Sequence, residues 1–222
     1  MKVLTIGDSF TYGAELAIPN KTSWPAILAK DNDWLLLNLA RGGASNDRSL
    51  RILFDQIDNN YDLIIVGWTY PERFEVNMNN NQGLKDIEPV DVSISVAGKR
   101  EWTWALDYYS NHYDRLHNYQ KYFREVIMLQ SYLTHRNQKY LFCNVTGLLS
   151  DLGNHSYNQF TKKLKHLIDQ INPAYYVGWP NEGMVEWAYG CPKGQGGHFL
   201  EEGHQRVAEK INEHIRHLGW VS

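Results

Sequence analysis

Apolar residues along this chain come in short continuous runs separated by longer segments of helical periodicity. Val3-Leu4-Thr5-Ile6 is the first such run and stops at Gly7. Runs like this predict strands buried on both faces, as in a parallel sheet. Trp34-Leu35-Leu36-Leu37-Asn38-Leu39, Asp62-Leu63-Ile64-Ile65-Val66-Gly67 and Lys139-Tyr140-Leu141-Phe142-Cys143-Asn144-Val145 repeat the pattern, and Ala174-Tyr175-Tyr176-Val177-Gly178 is a weaker fifth. Between them, Ser23 is placed to cap a helix through Pro25, Ile27 and Leu28, since proline is tolerated in a first turn. Asn46 or Asp47 is placed to cap another through Leu50, Leu53, Phe54 and Ile57. Leu116, Tyr119, Phe123, Val126, Ile127 and Leu133 recur near a 3.6-residue period and predict a long helix after about Tyr113. Phe160, Leu164, Leu167 and Ile171 predict a further helix, and Val207, Ile211 and Ile215 a last one starting near Glu201.

Alternating strands and helices predict a parallel sheet of about five strands with helices on both faces. Sites in such sheets lie beyond the carboxyl ends of the strands. That rule selects three loops, Gly7–Gly13, Ala40–Asp47 and Gly67–Glu75. The chain of 222 residues is read as one domain, 1–222, with an insertion at about 75–110 that is polar and carries Asn79-Asn80-Asn81. A small hairpin is expected within it at Val90–Val96.

Composition changes this picture little. A net charge of -3 gives no electrostatic pull toward nucleic acid or an anionic membrane. Two cysteines, Cys143 and Cys191, make no disulfide framework. There is no apolar run of spanning length, and the first residues do not read as a signal peptide. The expected location is therefore cytoplasmic. Aromatic residues are unusually many, with eight Trp and fourteen Tyr.

The chemistry lies in the loops. Gly7-Asp8-Ser9-Phe10 follows strand one directly, so Ser9 is placed as an exposed nucleophile whose own N–H faces a developing oxyanion. The same residues also suit a plain strand-to-helix turn capped by Asp and Ser. Near the C-terminus, Gly196-Gly197-His198-Phe199 puts a histidine just before the last helix, where it suits a general base. His204 reads instead as a helix-face residue in packing or solvent, and His214 and His217 as a solvated pair without a third metal ligand.

Together these residues resemble the GDSL or SGNH hydrolases, block by block and in order over nearly the whole chain. The second block is matched by Asn38-Leu39-Ala40-Arg41-Gly42-Gly43-Ala44-Ser45-Asn46, with Gly43 as the oxyanion-hole glycine. The resemblance implies a three-layer α/β/α sandwich with a flavodoxin-like sheet. It also implies hydrolysis of carboxylic esters on a small molecule or glycan, often an acetyl group, with no cofactor and no metal. Two positions depart from the pattern. Thr69 stands where the third block has an oxyanion-donating Asn, and loss of such a donor costs about 2.7–4 kcal/mol in other serine hydrolases. Gln195 stands where the last block has the triad Asp, a loss worth about 10⁴-fold in a serine protease. The run Gly67-Trp68-Thr69…Arg73-Phe74-Glu75 resembles phage-encoded members, which would extend the location to a host cytoplasm or a virion.

Two functional readings follow: an esterase working through a Ser9–His198 pair, and a weak or inactive binding module that kept the fold. A nucleotide-binding domain is disfavoured, because no phosphate-loop lysine motif and no Gly-x-Gly-x-x-Gly follows a strand. Asn46, Trp68, Arg73 and Trp179 are the expected substrate contacts. Arg73 is equally suited to a structural ion pair with Glu75 or another acid. Trp102, Trp104, Tyr108 and Tyr109, with Tyr175, Tyr176, Trp179, Trp187 and Tyr189, either line a sugar or acyl pocket or pin long loops to the body.

Overall fold

The computed structural model describes residues 1–76, 90–94, 103–147 and 154–221, with side chains from residue 161 onward in the last stretch. Five parallel strands form the central sheet: β1 (Lys2–Ile6), β2 (Leu35–Asn38), β3 (Leu63–Trp68), β6 (Tyr140–Asn144) and β7 (Tyr176–Val177). Their order is β2-β1-β3-β6-β7. This is the flavodoxin-like order, and it reverses direction between β1 and β3. All five expected strands are present, and the three central ones are buried on both faces, as their continuous apolar runs require.

Alternation along each strand divides the core in two. Leu4, Ile6, Ile64, Val66, Trp68, Tyr140, Phe142 and Tyr176 point to one side. There they meet α4 (Asn46–Gln56), α6 (Arg115–His135) and α7 (Asn154–Ile168). Val3, Leu63, Ile65, Leu141, Cys143 and Val177 point to the other. That side is closed by α3 (Trp24–Asp31), α8 (Met184–Trp187) and α9 (Glu201–His217). The result is a three-layer α/β/α sandwich. Short helices α1 (Ser9–Tyr12), α2 (Pro19–Thr22) and α5 (Thr103–Asp107) complete the α-helices among the described residues. No helix there is long and apolar enough to cross a membrane.

Helix starts differ in detail from expectation. Ser45, not Asn46 or Asp47, caps α4 by accepting from the Arg48 N–H at 3.2 Å. Ser23 occupies the cap position of α3 but makes no capping bond. Asp114 caps α6 through the His117 N–H.

A two-stranded antiparallel ribbon stands apart from the central sheet. Val90–Val92 (β5) pairs with Phe74–Val76 (β4), so Val90 begins a strand whose partner lies upstream rather than a hairpin closed within Val90–Val96. Residues 95 and 96 lie outside the described residues. The ribbon and α5 bury Val92 and Ala105 against Phe74, Val76 and Tyr109 in a small satellite core.

Candidate active site

The first loop turns sharply off β1. Asp8 caps α1 with Oδ1, which accepts the Phe10 N–H at 3.0 Å. The helix closes within one turn: the Gly13 N–H reaches Ser9 O, and Gly13 takes a left-handed φ of 87°. Close backbone approach is required here. A Cβ on Gly7 or on Gly67 would each stand 2.4 Å from Thr11 Oγ1, so both glycines give the Thr11 side chain its place between β1 and β3. Ser9 thus sits at the sheet's switch point, 6% exposed, at the N-terminus of α1.

Beneath it lies a buried polar cluster that the sequence reading missed. Asp8 is fully buried, and its Oδ2 accepts from Thr69 Oγ1 at 2.7 Å and from Arg73 Nη1 at 3.0 Å. Arg73 therefore makes a structural ion pair, with Asp8 rather than Glu75, which pairs with Arg51 instead. The Thr69 hydroxyl spends its one proton on Asp8 and has none left for an oxyanion, so its expected donor role fails in this arrangement. Asn46 is likewise no substrate contact. It is 3% exposed and clamps the Thr69 backbone, accepting from Thr69 N at 2.9 Å and donating to Thr69 O at 3.1 Å.

The second loop carries Gly43. Ala44 N bonds Arg41 O, closing a four-residue turn with Gly43 third at φ 77°. A turn of this kind favours glycine at that place. Three anchors hold the loop. Arg41 N donates to Gly7 O, Arg73 Nη1 donates to Ala44 O, and Asp91 of β5 accepts from Ser45 N and Ser45 Oγ at 2.8 and 2.7 Å. The ribbon therefore braces the glycine loop directly. Among the described residues, the backbone bonds of these loops leave the Ser9 and Gly43 N–H groups unused.

The histidine loop is a tight return. Gly194 N donates to His198 O, Gly197 N to Gly194 O, and Lys193 bridges Phe199. The His198 ring lies 4.8 Å from the ring of Phe10, Ser9's neighbour. Its Nδ1 stands 2.9 Å from Glu15 Oε2. Glu15 also accepts from Gly196 N at 2.7 Å and from His198 N at 3.0 Å. Gln195 is exposed. The Gly196 amide first, then the His198 ring and amide, hold the Glu15 carboxyl below the usual carboxylate range.

The remaining expected contacts pack against other rings, Trp179 from a partly exposed position. Trp68 is fully buried, edge-on to Tyr122 and Phe142. Its strand alternation sends the ring into the core rather than toward a ligand. Trp179 packs on Tyr176 at 4.8 Å and Phe123 at 6.1 Å. Phe74 gathers Trp104, Tyr108 and Tyr109, so these rings pack on the ribbon and its satellite core. Trp102 lies outside the described residues.

His204 is buried beside the site at 1% exposure, and its Nδ1 accepts the Trp24 N–H at 3.2 Å. Burial, with a smaller contribution from His198, pushes its pKa down to about 4. The native state therefore keeps His204 neutral, while the unfolded chain protonates it below about 6.5. Stability is full above that pH and falls as the pH drops toward 4, by about 3 kcal/mol at 1.36 kcal/mol per unit. Urea titrations at a series of pH values should show a shallower acid slope for His204→Gln than for wild type. Equal slopes would contradict the assignment.

No protein-family model and no curated protein matches this chain. Solved structures match it in fold. The psychrotrophic esterase EstA from Pseudoalteromonas sp., in a structure inhibited by monoethylphosphonate, superposes with a TM-score of 0.58 at 12% identity, over 98% of this chain and 97% of that one. A member of the lipolytic protein G-D-S-L family from Veillonella parvula DSM 2008 gives 0.50 at 11% identity, over 96% and 97%. A family two carbohydrate esterase from Clostridium thermocellum, in complex with cellohexaose, gives 0.52 at 15% identity, over 99% of this chain and 65% of that one.

Proposed function

We propose that this chain, which has the fold of the GDSL/SGNH hydrolases, is a serine esterase acting on short acyl esters, O-acetyl groups of carbohydrates among them. The observation that carries the reading is the assembly at the switch point. Ser9 opens α1 with its N–H unused, Gly43 offers a second N–H from a braced loop, and the His198 ring lies against Phe10.

The chemistry follows from these parts. Ser9 Oγ attacks the ester carbonyl while His198 Nε2 takes its proton. Charge develops on the carbonyl oxygen, and the Ser9 and Gly43 amides receive it, two donors where the family pattern has three. Collapse breaks the bond to the alcohol, which leaves with the proton from His198. Water then repeats the steps on the acyl-enzyme, with His198 again as base, and releases the acid.

Carbohydrate esters are favoured by the likeness to the family two carbohydrate esterase. A covalent label tests the nucleophile. Incubation with a fluorophosphonate probe, followed by peptide mass spectrometry, should place the adduct on Ser9 in wild type and lose it in Ser9→Ala. A wild-type protein that takes no label under excess probe would instead indicate a binding module on the same fold.

A further inference from the structure

The geometry points to Glu15 as the residue that positions His198, taking the place that Gln195 leaves empty. The inference rests on the esterase reading above and deepens it. A carboxylate only accepts hydrogen bonds, so the contact between Glu15 Oε2 and His198 Nδ1 at 2.9 Å places the ring proton on Nδ1. Nε2 is then left with its lone pair, the form a general base needs. As the ring takes a second proton from Ser9, the same carboxylate stabilises the imidazolium.

Three independent features show that the loop is built around this carboxylate. First, Glu15 accepts from two loop amides as well as the ring, Gly196 N at 2.7 Å and His198 N at 3.0 Å. Secondly, the loop is cut away to admit it. A Cβ on Gly194 would stand 2.5 Å from Glu15 Oε1, and one on Gly196 would stand 3.0 Å from Oε2. Thirdly, Glu15 holds a left-handed φ of 69°, a conformation costly for a residue with a side chain. It stands two residues after the left-handed Gly13 that ends α1, and this turn sends the carboxylate back toward residues 194–198. The local cost is kept where a glycine would avoid it, which fits a side chain that is needed there. Gln195 meanwhile points to solvent.

The groups that bear on the His198 ring among the described residues are Glu15 from the exit of α1 and His204 from α9, with Phe10 packed on its face. Removing the Glu15 carboxylate should therefore remove the acceptor that holds the ring proton on Nδ1. The test is ¹⁵N NMR of the His198 ring, which reports the tautomer, in wild type and the Glu15 variants, alongside kcat and KM for p-nitrophenyl acetate. Wild type should show the Nδ1–H form, and Glu15→Gly a mixture of both tautomers. Glu15→Gln should lose about 10²–10⁴-fold in kcat, with little change in KM. Glu15→Gly guards against a folding artefact, because φ 69° suits glycine. Its activity should fall as far and recover in part with added formate, while Ser9→Ala stays inactive with or without it. An unchanged Nδ1–H tautomer in Glu15→Gly, or kcat within about twofold of wild type in both Glu15 variants, would overturn the inference. A wild type that hydrolyses no ester would count against the esterase reading, while the tautomer still decides the Glu15–His198 pairing.

Discussion

Ser9→Ala, His198→Ala and the double variant should all fall to one common residual rate, at least about 10⁴-fold below wild-type kcat on p-nitrophenyl acetate. The equality matters more than the size. Ser9 supplies the electrons of the new bond, and His198 removes the proton that would otherwise hold them. Without the base, the serine hydroxyl is a weak nucleophile at neutral pH; without the serine, the base has nothing to activate. Groups that act as one unit are therefore grossly non-additive. What survives in all three variants is the contribution of the Ser9-position and Gly43 amides, which alanine at position 9 leaves in place. KM should move little, because neither side chain is needed to hold the ground-state ester. If the losses instead multiply in the double variant, the two residues act separately and the pairing is wrong.

Asp8→Ala should cost about 3–5 kcal/mol of stability, the penalty for removing one member of a buried ion pair. Asp8 is fully buried, and the Arg73 side chain is 14% exposed. Deleting the carboxylate strands the guanidinium, the Thr69 hydroxyl and the Phe10 amide together. Arg73 Nε has no partner among the described residues, so the guanidinium keeps only its bond to Ala44 O. A double-mutant cycle isolates the pair. Urea denaturation of Asp8→Ala, Arg73→Met and the combined variant should show the combination costing clearly less than the sum. Simple additivity, or a loss below about 1 kcal/mol for Asp8→Ala, would contradict the account. Activity should also fall, since Arg73 ties Asp8 to Ala44 O and so couples the serine turn to the glycine loop.

Much of the architecture was legible in the chain. The five sheet strands announce themselves because each central strand is covered by helices on both faces, and so reads as an unbroken apolar run. The long α6 was equally plain, its buried Tyr119, Phe123, Val126 and Leu133 falling at helical spacing. The ribbon was harder. Phe74–Val76 and Val90–Val92 have three residues each, too few for a period to show, and their pairing is set by contact across the chain.

The site divides along similar lines. Ser9, His198 and Gly43 sit in loops at strand ends, where residue type and position are informative together. Residues acting through a partner distant in sequence were not readable. Asp8 looked like a helix cap, and it is one, but its second oxygen carries the Thr69 and Arg73 bonds. Asp91 gave no sign that it would brace Ser45 from the insertion. Trp68 and Asn46 stood in site loops yet turn inward, because side-chain direction depends on pleat and packing rather than on which loop a residue belongs to. Glu15 was the largest omission. The position three residues before His198 holds Gln195, and the carboxylate on the ring is supplied from just beyond α1, 183 residues before the histidine. One signal was available: Gly194 and Gly196 flank Gln195 on alternate positions, and glycines so placed mark a backbone that something approaches closely.

The most direct test of the central claim is ester turnover itself. Purified wild-type protein and Ser9→Ala should be compared on p-nitrophenyl acetate against a buffer blank across neutral and mildly alkaline pH. Wild type should show saturable hydrolysis above the blank, with Ser9→Ala close to it. Wild-type and Ser9→Ala rates that both coincide with the blank, or that equal each other above it, would contradict the claim.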